Sequence, residues 1–326
     1  MDGLLVIDKP EGPTSHDVVA RLRRLLRESR IGHTGTLDPM ATGVLPLVVG
    51  RATRLARFLT ADVKRYEAVV QLGQATDTYD RLGEPIPLPA SPTGLDAPRA
   101  CGDAAAGDIA AATASATSAA ASVTREAIEA ALAQFRGEIV QTPPSYSAKK
   151  IGGVAAHRLA RRGEAVTPAA VQVTVHALTL LAHDRDLARV TLDVVCSAGF
   201  YVRSLAHDLG AALGCGAHLT ALRRTASGDW TLAEAVALDD CDRDPAIAHA
   251  RVIPMSRLLS GFPTVVVTAE GERRVKHGQS LRPIDLTEGA SGEGELFVRV
   301  TTAAGDLIAL ATPTQDGFLH PGLVLV

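Results

Sequence analysis

One carboxylate, Asp38, stands in residues 32–46, Gly-His-Thr-Gly-Thr-Leu-Asp-Pro-Met-Ala-Thr-Gly-Val-Leu-Pro, among three glycines and two prolines. An ionised aspartate held in such a run has the chemistry of a nucleophile or of a charge stabiliser. Pro39 biases the Asp38 backbone toward extended or turn conformations, and Gly32, Gly35 and Gly43 allow close approaches that side chains forbid. The run is no phosphate cradle of the Walker type, because no Gly-Lys-Ser/Thr follows its glycines. By composition alone it reads first as a structural turn, since Gly and Pro punctuate loops everywhere. No paired general base or metal-ligand cluster accompanies Asp38, which disfavours a small-molecule hydrolase.

The elements that must position this loop alternate in type. Leu4 to Ile7 reads as a short buried strand, and Ser15 then caps a helix with Val18, Val19, Leu22, Leu25 and Leu26 on one side. Tyr66 to Leu72 is expected as a strand; Val171 to Leu181 and Ala188 to Cys196 read as two longer strands around an Asp-Arg-Asp turn. Tyr201 to Leu213 has helical spacing and stops before Gly214. Thr124 caps a helix carrying Ile128, Ala131, Leu132 and Phe135 on one face, closed by Gly137. Strands and helices in this order predict an α+β sheet domain. Residues 89–123 are rich in Ala, Ser, Thr, Gly and Pro and read as a disordered surface insert. Beyond about residue 250 short β-like runs recur, at Thr264 to Thr268, Leu296 to Thr301, Leu307 to Ala311 and Gly322 to Val326, and predict a small separate β-rich domain.

With 326 residues and 46% apolar content, the chain can bury a sizeable core in one large or two modest domains. No secretory h-region or bilayer-length apolar run is present in the sequence, so a cytoplasmic protein with no membrane partner is expected. Cys101, Cys196, Cys215 and Cys241 form no C-x-x-C pair and are expected as buried free thiols. The net charge of −3 is low for a nucleic-acid binder, but it is uneven. From Gln141 to Gly163 stand Lys149, Lys150, Arg158, Arg161 and Arg162 without an acid, whereas Asp229 to Asp244 holds six acids and one arginine. The basic stretch is either a nucleic-acid contact or a solvated face.

The Asp38 run and four blocks in order around it resemble the bacterial tRNA pseudouridine synthase B family. The Asp38 run resembles its catalytic motif, and residues 3–13, Gly-Leu-Leu-Val-Ile-Asp-Lys-Pro-Glu-Gly-Pro, its opening strand and turn. Residues 64–83, with Leu-Gly-Gln-Ala-Thr-Asp-Thr-Tyr-Asp-Arg-Leu-Gly, resemble its second block, and residues 135–152 its RNA-gripping segment. Cys-Ser-Ala-Gly-Phe-Tyr-Val-Arg-Ser-Leu-Ala-His-Asp-Leu-Gly from Cys196, with Cys-Gly-Ala-His-Leu-Thr-Ala-Leu-Arg-Arg from Cys215, completes the set. The similarity spans roughly residues 3–225.

That resemblance implies an isomerase turning the T-loop uridine of tRNA, position 55, into pseudouridine, with neither cofactor nor metal, working as a monomer on the T-arm. It implies a mainly antiparallel pseudouridine synthase core at 1–250, with the insert at 89–123 and a thumb at 141–163, and a PUA-like RNA-binding domain at 251–326. Asp38 would be the nucleophile, kept ionised beside the Arg203 guanidinium. Tyr66 would stack on the everted uracil and assist loss of the C5 proton. Tyr201 and Leu222 would line the pocket, His33 would take up space near the flipped nucleotide, and Lys9 would brace the loop. Lys149, Lys150, Arg158, Arg161 and Arg162 would grip phosphates. Phe200 stands where the family usually has Thr, which removes a hydroxyl. A tRNA-binding folding factor is the alternative from another class.

Overall fold

The computed structural model describes residues 1–60, 63–87, 119–147, 149–164, 166–288 and 297–326. The chain groups into two compact units, one of Met1–Pro39, Gly43–Ala61 and Trp230–Val326, the other of Met40–Thr42 and Asp62–Asp229.

In the first unit the wholly apolar run Leu4 to Ile7 forms the centre of strand Gly3–Lys9. It pairs antiparallel with Thr42–Val49 from Gly3↔Val49 to Lys9↔Gly43, and Ile31–His33 flanks the same partner. Helix Ser15–Leu25 begins one residue earlier in capping than expected. Thr14 is the cap, in a reciprocal box with Asp17, and Ser15 is the first helical residue with its hydroxyl free to reach elsewhere. Val18, Val19, Leu22 and Leu26 are buried while Leu25 is partly exposed. The C-terminal runs form a five-stranded sheet ordered Leu286–Glu288, Thr264–Val267, Val298–Thr301, Leu307–Pro313 and Leu319–Val324. Helix Ala269–Lys276 buries Val275 in the cluster of Val265, Val298, Val300 and Ile308. A second cluster joins Leu4, Val6 and Val48 to Leu307, Leu310 and Leu325, across the boundary expected near residue 250. The sheets are distinct, yet burial binds them into one unit.

The second unit is an antiparallel sheet ordered Ala217–Ser227, Lys64–Leu72, Arg189–Cys196, Val171–Asp184 and Gly137–Gln141. Its alternation is clearest in Lys64–Leu72, whose even-numbered residues are all buried while the odd-numbered ones are exposed or partly so. Helix Val202–Ala212 packs on Ala217–Ser227. The approach is close: a Cβ on Gly210 would lie 2.1 Å from the Ala217 nitrogen, so only glycine fits. Thr124 caps helix Arg125–Ala133 as expected, but the helix stops at Gln134, and Gly137 with φ +81° opens a strand instead of closing the helix.

Of the stretch read as an insert, 89–123, residues 89–118 lie outside the described residues, as do 61–62, 88, 148, 165 and 289–296. Its last five residues are structured: 119–122 form a helical turn, and Ala120 and Val123 are buried, so ordered packing resumes earlier than the composition implied. Among the described residues no helix is long and apolar enough to cross a membrane, and no cluster of three or more His, Cys, Asp or Glu could hold a metal. Cys196, Cys215 and Cys241 are buried free thiols.

Candidate active site

The two residues beside Asp38 are each fixed to the body of the first unit. On one side Ser15 Oγ donates to the Leu37 carbonyl at 3.1 Å and accepts from the Leu37 amide at 2.8 Å. On the other the Pro39 carbonyl accepts from the Gly12 amide at 2.8 Å and from Lys9 Nζ at 3.3 Å. Lys9, 0% exposed, also donates to the Pro10 carbonyl at 2.8 Å. Asp38 itself is half-buried. A short carboxylate on a backbone held from both flanks has little freedom left to lose on reaction. His33, on the strand Ile31–His33 that leads toward this loop, sets its ring edge-on to His16 with centroids 5.3 Å apart.

In the second unit Tyr66, 8% exposed, sits directly across from Val194 on one side and Arg224 on the other. Residues directly opposite share a face, and the next pair along that face is Ala68 with Leu222. Lys64 lies opposite Cys196, whose thiol is pushed up to about 12 by burial. The face therefore offers an aromatic ring, an aliphatic side chain and two buried cations, Lys64 and Arg224. The latter two carried no signal in the sequence beyond their place in the quoted blocks.

Tyr201 and Arg203 share the start of helix Val202–Ala212. Gln141 fixes that start, accepting from the Tyr201 amide at 2.8 Å and donating to its carbonyl at 3.1 Å. Arg203, 5% exposed, donates to the Thr78 carbonyl and the Tyr146 carbonyl, each at 3.0 Å, and its guanidinium lies 3.7 Å from the Asp80 carboxylate. Asp80 was quoted within the second block without a role. It is 6% exposed, and its carboxylate also accepts from Thr78 Oγ1 at 2.8 Å and the Leu82 amide at 3.0 Å. Phe200 is buried, so the residue in place of the usual threonine joins the apolar packing.

The basic stretch begins at the end of strand Gly137–Gln141 and includes a two-stranded ladder of Lys150–Ile151 with Val154–Ala155 and a short helix, Ala156–Ala160. Lys149, Lys150, Arg158, Arg161 and Arg162 are all exposed; Arg162 lies 3.9 Å from Glu164, just past the acid-free run. Its base is tied down: Ser204 Oγ donates to the Thr142 carbonyl at 2.9 Å, and Ser145 Oγ to the Val166 carbonyl at 2.7 Å. Burial and the neighbouring Asp77 carboxylate push the Tyr146 phenol above its ordinary range.

The geometry thus brings Lys9 to the Asp38 loop, Tyr66 and Leu222 to one sheet face, and Tyr201 and Arg203 to the base of an exposed basic segment. Residues 23–97 and 102–202 match the N-terminal domain of the TruB family pseudouridylate synthases, and residues 203–259 match the tRNA pseudouridylate synthase B C-terminal domain. The tRNA pseudouridine synthase B of Solibacter usitatus (strain Ellin6076) is 41% identical over 327 residues, covering 100% of both chains. That of Burkholderia lata is 44% identical over 295 residues, covering 89% of this chain and 82% of the relative. A crystal structure of a Cbf5–Nop10–Gar1 complex aligns over 99% of this chain and 85% of that chain, with a TM-score of 0.67 and 26% identity.

Proposed function

The chain belongs to the TruB family of pseudouridylate synthases, and we propose that it converts the T-loop uridine of tRNA, position 55 in tRNA numbering, to pseudouridine with Asp38 as its acid. The overall change is an isomerisation: the bond from N1 of uracil to the sugar breaks, the base turns in place, a bond forms from C5 to the same sugar carbon, the C5 proton is lost to solvent and N1 takes one up. Electrons balance within the nucleotide, so the scheme needs no redox partner. It needs an ionised carboxylate to meet the charge of the severed fragment, a closed pocket for the free base and a proton acceptor at C5.

Asp38 takes the first of these roles, and the observation that carries the assignment is the clamp on both neighbours of Asp38. Tyr66 supplies the stacking surface and assists C5 deprotonation, with Leu222 beside it on the sheet face. Arg203 supplies positive charge, and Tyr201 shapes the pocket from the start of the same helix. Lys9 acts through the loop backbone, and His33 fills space near the everted nucleotide. The target base must leave its stack to react, and the exposed cations Lys149, Lys150, Arg158, Arg161 and Arg162 grip the phosphates of the T-arm while it does so. Residues 1–250 form the catalytic part, and 251–326 a PUA-like RNA-binding part.

Asp38→Asn tests the reading. With tRNA carrying uridine tritiated at C5, tritium release should fall to background while tRNA binding persists; undiminished release refutes the assignment.

A further inference from the structure

We propose that Tyr79 is a positioning residue for Arg203, and that its stack on His207 holds the turn that receives the guanidinium. The inference rests on the role assigned above to Arg203.

The turn at residues 76–83 carries two of the groups around that side chain, the Thr78 carbonyl at 3.0 Å and the Asp80 carboxylate at 3.7 Å. Tyr79 stands between them with φ +63°, in the left-handed region. Glycine reaches that region without a steric penalty and asparagine at a small one, whereas a tyrosine there is strained. Its backbone is tied by the Tyr79 amide to the Thr76 carbonyl at 3.2 Å and by the Leu219 amide to the Tyr79 carbonyl at 3.0 Å. None of these bonds needs a phenol ring, and a glycine would make them all.

The ring has a separate partner. It lies parallel to the His207 imidazole, with centroids 4.0 Å apart and an interplanar angle of 14°. His207 is buried and follows Arg203 by four residues on helix Val202–Ala212, so both side chains leave one face of that helix. The turn is thereby attached to the helix at two points, imidazole on phenol and guanidinium on carbonyl and carboxylate. Rotation of the Tyr79 backbone toward the ordinary helical region would swing the peptides on both sides of it, and with them the Thr78 carbonyl and Asp80. The stack opposes that rotation. Gly83 completes the turn: a Cβ there would lie 2.3 Å from Thr78 Oγ1 and 2.4 Å from Asp77 Oδ1, so the loop closes tightly around the acceptors.

The test compares Tyr79→Gly, Tyr79→Phe, His207→Ala and His207→Phe in the full chain, by tritium release from C5-labelled tRNA. Tyr79→Gly relieves the strained backbone while deleting the ring. It should keep or raise the melting temperature, leave KM for tRNA within about twofold and lower kcat by about tenfold, the signature of lost alignment in the transition state alone. His207→Ala should lower kcat in the same way, and the two ring-preserving variants should restore most of the wild-type rate. The proposal is overturned if Tyr79→Gly and His207→Ala keep the wild-type kcat, or if Tyr79→Phe and His207→Phe are as slow as the ring deletions. Asp38→Asn run in parallel separates the two failures: if it is inert while Tyr79→Gly is unaffected, only the positioning role falls, and if it turns over normally the active-site reading falls first.

Discussion

At the scale of single residues, the hydroxyl that binds the residue before Asp38 bears on how the Asp38 carboxylate is presented. Ser15 satisfies both backbone groups of Leu37, so Ser15→Ala leaves a buried amide and carbonyl without that partner and should cost about 1–3 kcal/mol of stability. Turnover should fall with KM nearly unchanged, which steady-state kinetics against tRNA will show. Asp80→Asn keeps the shape of the turn while removing the negative charge 3.7 Å from Arg203. Its kcat should drop by about tenfold or more, with tRNA affinity in a filter-binding assay unaltered. Asp38 was singled out by the resemblance of its run to the family motif, since glycine and proline by themselves advertise only a shaped loop. Asp80 was not: its significance lies in a guanidinium from a distant helix, and nothing within the Thr-Asp-Thr-Tyr-Asp run announces that partner.

At the scale of elements, the proposed roles assign binding to the exposed basic segment and chemistry to the residues at its anchored base. Charge reversal at Lys149, Lys150, Arg161 and Arg162 together should weaken tRNA binding by about a hundredfold at moderate salt and flatten its salt dependence, while kcat at saturating tRNA is retained. Titrations at two ionic strengths check both. The helices with Thr caps and the strand Lys64–Leu72 were legible because their signals are local and periodic. Three other strands were not. Thr42–Val49 contains Pro46 and a glycine, punctuation that reads as loop; in the fold Pro46 stands opposite Val6 and uses its carbonyl to accept from the Thr34 amide. Ala217–Ser227 breaks its alternation at irregularities between Leu219 and Ala221 and between Arg224 and Ala226, which erases the period of two. Gly137–Gln141 lies at the end of its sheet with Val140 75% exposed, so no apolar pattern marks it.

At the scale of the whole molecule, stability in the first unit depends on residues from opposite ends of the sequence. Leu310 is buried in the cluster with Leu4, Val6 and Val48, and Leu310→Ala should destabilise the protein by about 2–5 kcal/mol, measured by denaturant unfolding. Asp285 adds a pH dependence. Hydrogen bonds from the Arg282 side chain hold its carboxyl below the ordinary aspartate range, despite burial that opposes this. A depressed native pKa stabilises the fold above the unfolded-state pKa, and the contribution disappears as pH falls through the native value. Asp285→Asn should therefore lower Tm by a few degrees near neutrality, and the gap from wild type should narrow as the medium becomes strongly acidic. The split composition of this unit also sets a timetable for synthesis. A ribosome delivers residues 62–229, with the five strands Lys64–Leu72, Gly137–Gln141, Val171–Asp184, Arg189–Cys196 and Ala217–Ser227, well before Leu307, Leu310 and Leu325 emerge. The first strand made meets its ladder partner Thr42–Val49 early, but Leu307, Leu310 and Leu325, which cover Leu4 and Val6, arrive last, and that apolar face must be kept from wrong partners for most of translation.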